Sequence, residues 1–132
     1  MINIDKLAKI ASKELKTGEE FKASAAGRIV SHDAGDEFVD CFIGATEHRI
    51  IVLIKSLFCV KQLTDFAFTQ ATEFSFKENE NRFYFTAANE HFVLGDVLRI
   101  PNPKELSGFI KGKKTPDKVT FEATSLTVPA KK

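Results

Sequence analysis

The chain has no tryptophan, one tyrosine, one methionine and only two cysteines in 132 residues. Two cysteines without a CxxC spacing supply neither a disulfide framework nor a zinc ribbon. Cys41 and Cys59 both lie in apolar runs and read as small buried hydrophobes, not as a bridge, a redox pair or metal ligands. No uninterrupted apolar run approaches the roughly 20 residues that a membrane-spanning helix needs. The opening MINIDKLAKIASKELK is charged throughout and lacks the apolar core of a secretory signal, so a cytoplasmic protein is expected. Net charge is small, at +1, and unevenly placed. Residues 101–132 hold seven Lys/Arg and three Asp/Glu, against 12 and 15 in residues 1–100. A basic end on a mildly acidic body is not the strongly basic domain of a nucleic-acid binder, and no nucleic-acid partner is expected.

Motifs for chemistry are also missing. His32, His48 and His91 each fall at or near a turn or strand end, and none belongs to HExxH or a close ligand pair. There is no GxSxG elbow and no P-loop; KGKKT follows a helix instead of joining a strand to one. His32, Asp33 and Asp36 could gather a cation in one loop, but nothing closes a coordination sphere, and a solvated acidic loop is the simpler reading. Glu19-Glu20 and Glu78-Glu80 read as solvated turn carboxylates. The sequence therefore points to no catalytic residues, no cofactor and no metal.

What is present is an ordinary globular composition, 43% hydrophobic and 28% charged, sized for one core. Residues 3–16 carry Ile4, Leu7, Ala8, Ala11 and Leu15 at helical spacing, with Lys6, Lys9, Lys13 and Lys16 on the opposite face. Asn3 or Asp5 can cap the start and Gly18 the end. Seven short Phe-, Val- and Ile-rich segments follow in residues 20–98: Glu20–Val30, Phe38–Ala45, Arg49–Lys55, Phe58–Leu63, Thr72–Lys77, Arg82–Ala87 and His91–Leu98. Their turns are SHDAGDE, TEH, a Ser56–Leu57 break, DFAFTQA, ENEN and AANE. Sequential strands at this spacing predict an antiparallel barrel or sandwich, mainly β within an α+β chain. RIIVLIK is apolar on both faces and should be a central, covered strand. A second helix is expected over 102–112, with Asn102 as cap, Pro103 at the first position, Glu105 closing a capping box, and Leu106, Phe109 and Ile110 as its apolar edge. Gly108 and Gly112 should keep it short and weak. Residues 113–132 read as a polar basic tail, either loose or an extra extended segment that Val119 and Phe121 could anchor.

Four segments carry a family resemblance: KELKTGEEFKASAAG, FIGATEHRIIVL, CVKQLTDFAF and PKELSGFIKG. They resemble, in order, the opening helix and first strand, the "hhhhTnkRhhhh" hairpin, the segment that follows it, and the closing helix of the bacterial PH-like domains of the YokE-like and GRAM-like kind. Thr46 and Arg49 are the matching motif positions, and Glu47 and His48 replace the usual turn residues. The likeness covers residues 1–112. It implies a PH-like seven-stranded barrel with a short C-terminal capping helix, working as a non-enzymatic scaffold for peptides, proteins or lipid headgroups.

Three readings remain open. A protein-interaction or self-associating module leads. The second is a weak electrostatic binder of membrane surfaces through Lys6, Lys9, Lys13 and Lys16 together with Lys104, Lys111, Lys113 and Lys114. The third is a small ligand-binding barrel or small α+β enzyme with a phenylalanine-lined cavity. The SHDAGDE loop has no basic residue, and Lys22 and Arg28 alone are too few for several phosphates, so tight phosphoinositide binding is not expected.

Overall fold

The computed structural model describes residues 3–32, 39–56 and 59–114. Helix α1 (Ile4–Ser12) begins where the Asn3 side chain accepts the Lys6 N–H at 3.1 Å. It ends four residues sooner than its spacing predicts. Beyond Ser12 the backbone finds other partners: the Glu14 carbonyl accepts from Arg49, 35 residues on, and the Lys16 N–H donates to the side chain of nearby Glu19.

Seven strands follow: β1 (Ala23–His32), β2 (Asp40–Ala45), β3 (Ile50–Lys55), β4 (Val60–Phe66), β5 (Ala71–Lys77), β6 (Arg82–Ala87) and β7 (Glu90–Gly95). They form one antiparallel sheet in the order β4-β3-β2-β1-β7-β6-β5. β1 is the hinge of this sheet. Its first part pairs with β2 through Arg28, and from Arg28 onward it pairs with β7, with a register shift between Ile29 and Ser31. Gly27 sits at this crossing. A Cβ there would stand 2.7 Å from the Gly95 carbonyl oxygen, so the close approach of β1 to β7 requires glycine.

The bend folds β5–β7 over β1–β4, and side chains fill the space between. Phe66 of β4 meets Phe85 and Phe92 edge-on, with ring centroids 6.1 and 6.2 Å apart. Phe83, Phe85 and Phe92 are fully buried there, with Val52 and Leu94. Helix α2 (Pro103–Lys114) closes this core with Leu106 and Ile110, both fully buried. Asn102 accepts the Lys104 N–H at 2.9 Å, and the helix runs through Gly108 and Gly112 to Lys114, past its expected end at residue 112. The phenylalanine stripes are thus core.

β2 and β3 are covered on both faces, as RIIVLIK predicts. Cys41, Ile43, Ile50 and Val52 point to the inner core, while Phe42, Ile51 and Leu53 pack under Leu7 and Ala11 of α1. β4 lies about three residues later than expected, since Asp65 and Phe66 belong to the strand and not to the turn. Cys59 is exposed, correcting its expected burial. Its N–H and the Ser56 hydroxyl close the turn before β4, which leaves the thiol outside. Asp33 and Asp36, the rest of the SHDAGDE loop after His32, and residues 115–132 with Val119 and Phe121, lie outside the described residues.

Candidate functional site

Thr46 and Arg49 flank the turn between β2 and β3, and both belong to one polar clip. Arg49 grips Glu19 with two donors: Nε to Oε2 at 3.1 Å and Nη2 to Oε1 at 2.9 Å. The Thr46 hydroxyl donates to Oε2 at 2.8 Å and the Lys16 N–H to Oε1 at 3.0 Å, so the carboxylate receives four hydrogen bonds. Nη2 also donates to the Glu14 carbonyl at 2.6 Å, and Nη1 to Asp65 Oδ2 at 3.0 Å. One guanidinium thereby ties together the exit of α1, the loop before β1, the β2–β3 turn and β4. The Arg49 hydrogen bonds hold the Glu19 carboxyl down to about 2 despite its burial. Its side chain is 4% exposed, so the expectation of a solvated Glu19 fails; Glu20, Glu78 and Glu80 are exposed as expected. Thr46 accepts the His48 and Arg49 N–H groups at 3.0 and 3.2 Å, which shapes the turn. The clip is satisfied internally, and what it does is position β4.

The lysines divide into two sets. Lys6, Lys9, Lys13 and Lys16 are exposed, Lys6 and Lys9 on α1 and the other two beyond its last turn. The apolar side of α1 is occupied by the sheet. Lys104, Lys111, Lys113 and Lys114 lie on α2, where Lys104 pairs with Glu78 and Lys113 with Glu47. The two helices pack on opposite faces of β2. Lys22 pairs with Glu20, and Arg28 is half-buried. No helix among the described residues is long and apolar enough to cross a membrane, and the described residues bring no three His, Cys, Asp or Glu side chains together for a metal.

Open clefts of about 400 and 450 Å³ flank the connection from β7 to α2 and share Arg99 and Asn102. A third, of about 390 Å³, lies beside Gly18, His48 and Arg49. These are open surface troughs, and the phenylalanines that line them are Phe21 in the first and Phe76 in the second.

The sheet ends are the remaining feature. An edge strand directs every second N–H and C=O away from its neighbour. β5, at one end, is partly covered: Ser107 of α2 donates to the Phe74 carbonyl at 2.6 Å. Among the described residues β4, at the other end, pairs with β3 alone. Val60 at its start is 44% exposed, and Lys61 and Asp65 are exposed. Sequence reading identified Thr46 and Arg49 but missed Glu19 and Asp65 as their partners, and an exposed sheet edge could be expected from it without naming β4; the signal for β4 was the strand-like CVKQLTDFAF, whose boundary decides which residues it presents. We found no match to this chain among protein-family models, curated proteins or solved structures.

Proposed function

We propose that the chain is a non-catalytic binding module of the PH-like kind, which takes an extended protein segment along β4 by strand addition. The observation that carries this is the position of β4 at the end of the sheet, with the opposite end, β5, partly occupied by α2. The phenylalanine-packed interior favours a binding surface over an enclosed ligand cavity. The clip supports the same reading, because Arg49 fixes β4 to three other segments and so presents a stiff template.

The test is selection of displayed random peptides on the immobilised protein, followed by amide chemical-shift mapping with an enriched peptide. Shifts concentrated in Lys61–Asp65 are expected. Failure to enrich any peptide, or shifts centred on β5 or on the clefts beside Arg99, would refute the proposal.

A further inference from the structure

The first cleft, of about 400 Å³, is lined by the start of β1 on one side and by the chain leaving β7 on the other. The Leu98 N–H donates to the Ala26 carbonyl at 2.9 Å, so Ala26 turns its main-chain groups away from β2. Ser24, two residues earlier on β1 and opposite Gly44 of β2, turns its own N–H and C=O the same way, toward the cleft it lines. Arg99 and Ile100 line the cleft with it but do not bond to it. Among the described residues these two main-chain groups of Ser24 have no partner.

Two charged side chains of the same cleft are also unengaged. Arg99 is exposed and makes no hydrogen bond or ion pair among the described residues. The capping box expected of Glu105 does not form: Asn102 takes the Lys104 N–H instead, and the Glu105 carboxylate bonds to nothing among the described residues. A cation and an anion thus line one cleft without neutralising each other. Lys22, the remaining charged group there, is paired with Glu20. Phe21 and Ile100 add apolar surface, and Ile100 is 84% exposed.

We infer that this cleft binds a free α-amino acid with an apolar side chain. The ligand carboxylate meets Arg99 and the Ser24 N–H. Its ammonium meets Glu105 and the Ser24 carbonyl, and its side chain lies against Phe21 and Ile100. Each ligand charge then has one opposite charge and one main-chain group of matching polarity. A phosphate or the carboxyl terminus of a peptide would leave Glu105 facing a like charge, and a simple cation would leave Arg99 so placed; the opposed pair selects a zwitterion. The cleft is open to water, which screens both charges, so a dissociation constant on the order of 1 mM is expected. The inference goes beyond the reading of β4, which lies three strands from β1 in the sheet.

The test is an amide chemical-shift titration of the full chain with leucine, N-acetylleucine, which lacks the ammonium, and leucinamide, which lacks the carboxylate. Saturable shifts at Ser24, Arg99, Ile100 and Glu105 are expected with leucine, and about 10-fold weaker binding with each of the other two. Arg99→Gln should erase the preference for leucine over leucinamide, and Glu105→Gln the preference over N-acetylleucine. Both side chains are exposed and unbonded, so both variants should fold as the parent does. Each substitution thereby removes one preference and leaves the other, which a merely structural role would not produce. No saturable shift well above 1 mM leucine, shifts centred elsewhere, equal binding of the three compounds, or preferences that survive both substitutions overturns the inference. Peptide enrichment along β4 is measured separately, so either proposal can fail while the other stands.

Discussion

Arg49 and Glu19, thirty residues apart in sequence, meet in a two-pronged ion pair whose side chains are 17% and 4% exposed. The carboxylate is also capped by Thr46 and the Lys16 backbone, so no lone pair is left without a donor. A pair so enclosed adds modest net stability over an apolar substitute, but breaking it leaves an uncompensated charge.

Removing one partner is therefore expected to be severe. Glu19→Gln or Arg49→Lys should lower unfolding free energy by about 2–4 kcal/mol. Thr46→Val, which keeps the shape and loses the hydroxyl, should cost about 1–3 kcal/mol, while Thr46→Ser retains most of the stability. Urea unfolding followed by circular dichroism checks this, the midpoint moving without a change of slope.

The same pair sets an acid response. Glu19 is held at about 2 when folded, below its ordinary 4.5, first by its hydrogen bonds to Arg49. A depressed folded pKa makes its contribution complete above about pH 4.5 and removes it as pH falls toward 2. The stability gap between the parent and Glu19→Gln should be constant at neutral pH and narrow across that interval. A gap that does not vary with pH would contradict the assignment.

Glycines separate by position. Gly108→Ala and Gly112→Ala place a methyl in open space on α2 and should each stabilise by about 0.5–1 kcal/mol, less at Gly112 near the helix end. Gly27→Ala drives a Cβ onto the Gly95 carbonyl and should destabilise by about 1–3 kcal/mol or more. Thermal melts of the three variants test the contrast.

The two thiols should behave differently. Burial, reinforced by Asp40, pushes the Cys41 thiol well above its usual range, whereas Cys59 is exposed. Native protein should react with one equivalent of a disulfide reagent, and with a second only on unfolding. Two fast equivalents in the native state would show that Cys41 is not enclosed.

Much of the fold was legible because alternation of Phe, Val and Ile survives in most strands. Arg82–Ala87 matches at both ends, and the two-sided apolarity of RIIVLIK marks a strand covered twice. The misplacements share a cause. α1 stops at Ser12 although Leu15 continues the helical spacing, because Glu14 and Lys16 bond to Arg49 and Glu19. β4 extends to Phe66 because that ring is required between Phe85 and Phe92. Glu19 reads as a turn carboxylate until its partner, far along the chain, is in place. Local pattern carries no information about the bonds of Arg49 to Glu14, Glu19 and Asp65, and these make the clip.

The bend in β1 bears on how the chain reaches this state. β1–β4 form by successive hairpins, as do β5–β7, and each set needs only neighbouring residues. The seam of β1 with β7 is different: it brings Arg28 to Gly95 and closes about half of the chain into a loop. That closure carries the largest entropic cost of any pairing in the sheet. Gly27 lies at the seam, so its replacement should slow refolding as well as speed unfolding, whereas changes in the β6–β7 hairpin should leave the refolding rate nearer its original value.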